Sequence, residues 1–173
     1  ALWTSTFLSN IGAGMASVAI GLQVYRVTNT SFAVGLIGLF QFIPLVTFGL
    51  LGGSWADRLD RRRLALTATI GLMACALALG ITTQFGFASV GVLYIIVAFQ
   101  SAFFGIGAPA RQSTVPRLLP SDQLAKANAL STFAWNFGAT IGPMLGGFII
   151  ASANSIAIVY FIEAAFFVMS LFL

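Results

Sequence analysis

Twelve of the 173 residues are charged at neutral pH, and six of these fall in seven consecutive positions, Asp57 to Arg63, within GGSWADRLDRRRLAL. Carboxylates interleaved with guanidiniums at this spacing do ion-pair chemistry, because an arginine fork offers a carboxylate two parallel N–H donors. Glu163 is an acid of a different kind, alone in the apolar run YFIEAAFF. A carboxylate within a bilayer costs about 2.5–3.5 kcal/mol on insertion scales, so it should face a partner or a cavity. Two roles are open to it, a proton-carrying site or a structural carboxyl.

Other chemistries are thinly supplied. There is no histidine, which removes the commonest metal ligand and general base, and the single cysteine, Cys75, excludes an internal disulfide. No metal-ligand cluster, nucleophile–base pair or phosphate-cradling loop is visible, so neither an enzyme nor a resident cofactor or metal is expected. The polar residues left inside apolar stretches are Asn10, Gln41, Gln100, Ser101 and Asn136. Phe7, Phe40, Phe99, Phe103 and Trp135 could meet an apolar substrate or simply pack.

Gly138, Gly142 and Gly146 are spaced i, i+4, i+8, which makes one smooth helix face. Pro143 removes a backbone donor and kinks the helix, and Gly147 follows the stripe. Such a face serves close helix packing, with or without a role in movement.

These residues must be positioned by elements suited to lipid. The chain is 59% hydrophobic and 7% charged, where a soluble domain carries roughly a quarter charged residues. Six apolar runs are long enough to cross a hydrocarbon core as helices: 2–25, 32–55, 64–84, 89–108, 128–151 and 155–173. They are far too long for barrel strands, so the expectation is an all-α, six-helix membrane bundle. Connections 26–31, 85–88 and 152–154 are short and nearly neutral. Loops 56–63 and 109–127 hold seven of the eight basic residues, Arg26 being the exception. The excess of basic over acidic residues is therefore confined to two loops, which argues against a nucleic-acid partner. The positive-inside rule makes the loop face and the N-terminus cytoplasmic. The chain starts and stops within apolar runs, as expected of a fragment of a longer polytopic protein. Helices two and five each carry a proline (Pro44, Pro143) and a glycine pair, a weak sign of internal repetition.

The loop at 53–66 resembles the signature G-x-x-A-D-R-x-G-R-R-x-x-L between helices two and three of the major facilitator superfamily. Gly53, Ala56, Asp57, Arg58, Arg61 and Arg62 fit it, and Asp60 stands where that family has glycine. The stretch 138–147 resembles the superfamily's helix-five motif, G-x-x-x-G-P-x-x-G-G, of proton-coupled exporters. The stretch 105–128 resembles the helix four-to-five linker of a bacterial exporter branch that includes enterobactin and macrolide efflux proteins.

The resemblance implies the N-terminal half of the superfamily fold, with three-plus-three inverted repeats. It also implies a C-terminal six-helix half beyond this chain. The implied activity is proton-coupled efflux of small amphipathic compounds, by alternating access, in a bacterial inner membrane. Protons would be the coupling ion, and a small molecule and the lipid bilayer the partners. Asp57 and Arg61 would belong to a cytoplasmic latch, the ordered Asp–Arg spacing exceeding what a mere topology anchor requires. Arg111 would pair near the end of helix four, or anchor at the interface. Helices one and four would line the central path, which ranks Asn10 and Gln100 above Gln41 and Asn136. The helix-one carboxylate frequent in coupled exporters is absent, and Asn10 and Gln23 are that helix's polar residues. A different class, a non-transporting six-helix scaffold or channel-like assembly, would use the same hairpins for packing only.

Overall fold

The computed structural model describes residues 2–58, 60–112 and 124–172, with side chains described there except at 2–3, 53–58, 61, 110–112 and 124. Those residues form six helices: α1 (Leu2–Thr28), α2 (Ser31–Arg58), α3 (Arg61–Gln84), α4 (Val90–Gln112), α5 (Leu124–Ala153) and α6 (Ala157–Phe172). No strand occurs among the described residues. Five helices are long and apolar enough to span a membrane, and α6 is a shorter apolar helix.

The helices outrun the apolar runs. α1 continues to Thr28, α2 to Arg58, and α3 begins at Arg61, three residues before its apolar span. Hydropathy marks the hydrocarbon boundary, whereas a helix ends where its backbone is capped. Asp60 supplies the cap for α3: its Oδ1 accepts from the Arg62 N–H at 2.9 Å. Aspartate is among the best N-cap residues. Its presence in place of glycine therefore stabilises the start of α3 from the side chain. α4 also corrects the sequence reading, running through Pro109 to Gln112 instead of stopping at Ala108. A proline costs a membrane helix one hydrogen bond, and neighbouring groups can re-satisfy the carbonyl it frees.

The short connections share one device. Asn29 (φ 53°), Gly86 (φ 73°) and Asn154 (φ 49°) each take the left-handed conformation just past a helix end. After α3, Gly86 N–H bonds Thr83 and Phe87 N–H reaches back to Thr82, closing the turn in the Schellman manner. Glycine and asparagine are the residues that enter this region at least cost.

Packing is patterned. α1 lies against α5 and α6, α4 lies against α2 and α3, and α3 meets α6. Exchanging α1 with α4, α2 with α5 and α3 with α6 maps this set of contacts onto itself, the relation expected of two three-helix repeats. The main core draws on all six helices, including Met15, Ala19, Ile37, Leu79, Leu93, Val97, Ile150, Val159 and Tyr160. α2 is the most outward-facing helix, with Phe42, Ile43 and Leu50 largely exposed.

Candidate functional site

Two glycine seams set the positions of α1 and α4. The α5 stripe faces α1. A Cβ on Gly138 would fall 2.6 Å from Asn10 Cβ, on Gly142 2.7 Å from the Gly14 Cα, and on Gly146 2.8 Å from the Met15 carbonyl oxygen. The last member of the motif, Gly147, faces open space. Between α2 and α4, a Cβ on Gly52 would fall 2.8 Å from Ile106 Cα, and one on Gly105 would fall 2.9 Å from the Leu45 carbonyl oxygen. Both seams bring backbone against backbone, the arrangement small residues permit where lipid supplies no hydrophobic drive.

A cavity of about 230 Å³ opens at the first seam, lined by Asn10, Ala13, Gly14, Ser17, Trp135, Ala139 and Pro143. The Ser17 hydroxyl is turned into its own helix, donating to the Gly14 carbonyl at 2.7 Å. Trp135 is half exposed and leans towards Phe104 of α4, with ring centroids 6.1 Å apart. Of the other aromatics, Phe7 packs edge-on against Phe133 and Phe137, and Phe40 stacks on Tyr94 at 4.5 Å. Phe103 lies over Gly71 of α3, and Phe99 is exposed. Gln41 is half-buried on α2, and Asn136 is exposed on α5.

Glu163 sits at the junction of four helices and is fully buried. The Gln100 amide of α4 donates to its Oε1 at 2.9 Å. Its Oε2 is sealed from solvent and has no hydrogen-bond partner. From α1, Gly12 closes on its stem, so that a Cβ there would lie 3.4 Å from Glu163 Cγ. Cys75 of α3 and Tyr160 of α6 are within electrostatic reach. The sequence placed Gln100 beside the central path; its amide is instead turned into the bundle, onto this carboxyl.

One turn earlier on α6, a second buried polar chain ties three helices together. The Tyr160 hydroxyl donates to Gln23 Oε1 at 2.8 Å, Gln23 Nε2 donates to Thr83 Oγ1 at 2.8 Å, and Thr83 donates to the Leu79 carbonyl at 2.6 Å. In the sequence Gln23 stands out only as a polar residue of the first helix. The available signal was that Tyr160, like Glu163 three residues on, lies in an otherwise apolar run.

The loop motif is described only in part. Gly53, Asp57 and Arg58 fall at the end of α2, Arg61 at the start of α3 and Arg111 at the end of α4. Their side chains lie outside the described residues, as does the segment 113–123. Around them, Asp60 reaches Arg63 at 3.8 Å, an exposed pair worth between zero and about 1 kcal/mol.

A six-helix membrane bundle with two interleaved three-helix repeats and glycine-lined seams is the architecture of the N-terminal half of a major facilitator. Residues 1–173 match the family model described as transmembrane secretion effector, and the chain belongs to that family of the superfamily. It is 28% identical over 158 residues to the enterobactin exporter EntS of Salmonella choleraesuis, and 28% over 160 residues to those of Citrobacter koseri and Escherichia coli. These alignments cover 89% of this chain and 37% of each relative, so the chain spans well under half the length of the exporters it matches.

Proposed function

We propose that the full-length protein exports a small amphipathic compound by alternating access, powered by the proton gradient, with this bundle as its N-terminal half. A second six-helix bundle would complete it. The observation that carries this reading is the cavity on the α1/α5 seam. An amide, a hydroxyl and a half-exposed indole stand in an otherwise apolar wall, the mixture that holds an amphipathic molecule. The exporter relatives point the same way.

In this reading Asn10 and Trp135 contact the compound, and Gln41 and Asn136 lie along its path. Gly138, Gly142, Pro143, Gly146 and Gly147 give α5 a face on which α1 can shift. Asp57 and Arg61, with Gly53, Arg58 and Arg62 shaping the turn, latch the cytoplasmic side when the cavity opens outward. Arg111 braces the end of α4. The charge of the basic loops supports a cytoplasmic location, in a bacterial cell, for that side and for the N-terminus.

The test uses full-length protein in sealed vesicles, with enterobactin and ethidium as probes. Addition of a transported probe is expected to drive proton movement in the opposite direction. Probe export that continues when the proton gradient is collapsed overturns the coupling. A protein that moves neither probe and conducts ions instead supports a channel-like assembly.

A further inference from the structure

Of the four acids in the chain, Asp57, Asp60 and Asp122 belong to the two charged stretches of the sequence, and only Glu163 lies inside an apolar run. With no histidine present, the interior has few groups able to exchange a proton. We propose that Glu163 is the proton-binding carboxyl of this half, that Oε2 is the atom that takes the proton, and that Gln100 is its positioning residue. The proposal deepens the proton-coupled reading above and rests on it for its role in transport.

The geometry distinguishes the two carboxyl oxygens. Oε1 is held by the Gln100 amide, while Oε2 is buried, faces no donor and is free to become an O–H. A carboxylate has about four acceptor positions, and a buried one left mostly unmatched is costly. Among the described residues no lysine or arginine is paired with it. From α4 the neutral Gln100 amide contacts it and from α1 the side-chain-free Gly12 closes on its stem; the Cys75 thiol of α3 and the Tyr160 phenol of α6 lie within electrostatic reach. Tyr160 is already engaged, since its hydroxyl donates away from Glu163 to Gln23.

Gln100 is half-buried where Glu163 is sealed, so the amide is the more accessible of the two. Proton uptake is a simple transfer: a hydronium reaching Oε2 leaves its proton there and departs as water. Release returns the proton to a water molecule arriving from the opposite side. Because Glu163 has no exposure in this structure, each exchange requires one of the helices packed around it, α1, α3 or α4, to shift against α6.

The test is infrared difference spectroscopy of the purified full-length protein in lipid, stepped in pH, without substrate. Wild type should show a carboxylic-acid carbonyl band that grows on acidification. Glu163→Gln should lose that band, and Glu163→Asp should keep one at a displaced frequency. Gln100→Leu should keep the band but shift its titration midpoint, an effect that a packing role would not produce. Equal bands in wild type and Glu163→Gln, in protein that elutes identically from size exclusion, overturn the assignment. An unshifted midpoint in Gln100→Leu removes the role of Gln100. Vesicle measurements separate this proposal from the coupling itself. Band loss in Glu163→Gln with no proton movement in wild type leaves the site standing and sinks proton-coupled transport. Coupled efflux that persists in Glu163→Gln overturns the transport role of the site.

Discussion

The α1/α5 and α2/α4 seams solve the same packing problem with different sequences. On α5 three glycines four residues apart form one continuous face, and α1 lays its backbone along it from Asn10 to Met15, adding only Gly14 of its own. On the other seam the close approaches are divided evenly between helices, Gly52 from α2 and Gly105 from α4. Backbone contact is a property of a pair of helices, so either helix can supply the missing side chains. A pattern confined to one helix is readable in the sequence; a pattern shared between two distant segments is not. The α1/α5 seam also carries the cavity with Asn10 and Trp135.

If the seams are equivalent, they should fail together. Gly142→Leu and Gly105→Leu are each expected to reduce efflux by the full-length protein at least tenfold, with loss of folded yield on detergent size exclusion. Overpacking typically costs about 1–3 kcal/mol even where neighbours can adjust, and here the neighbours are backbone. Tolerance of one substitution but not the other would break the equivalence. Asp57→Asn tests the loop that joins α2, from one seam, to α3. Efflux should fall severalfold while membrane insertion and melting temperature stay unchanged, and undiminished efflux would remove the latch.

Smaller effects test what lies beside the seams. Gln23→Leu leaves the Tyr160 hydroxyl and Thr83 without their shared partner, at a cost of about 1 kcal/mol within a membrane, read as a lowered melting temperature. Asp60→Ala should cost about 1 kcal/mol through the lost cap, and Asp60→Gly only a few tenths. The finest comparison is inside a single motif. Gly146→Ala should destabilise, because its Cβ meets the Met15 backbone, whereas Gly147→Ala should be silent, because it meets nothing. Equal behaviour of the two would mean that the motif acts as a whole.

Most of the fold was legible because lipid imposes a simple code. Apolar runs of about 20 residues mark spans, and charged loops mark their ends. Helix limits were less legible, since Asp60 caps α3 through a hydrogen bond that hydropathy does not register, and α4 carries Pro109 inside it. The candidate site divided in the same manner. Glu163 stood out as an intramembrane acid, yet its partner could not be named, because Gln100 lies 63 residues away and meets it only through the α4/α6 geometry. Gln23, Tyr160 and Thr83 were likewise ordinary polar residues until three helices brought them into line.

The 30 residues of α5 have a consequence for the surrounding lipid. At 1.5 Å per residue the helix is about 45 Å long, against a hydrocarbon core of about 30 Å. Tilting absorbs part of the excess, and the turn around Lys126 must otherwise project into the head groups. Vesicles made from longer-chain lipids should therefore suit this helix better than thin ones. Acyl-chain length becomes a variable to control whenever activity is compared between preparations.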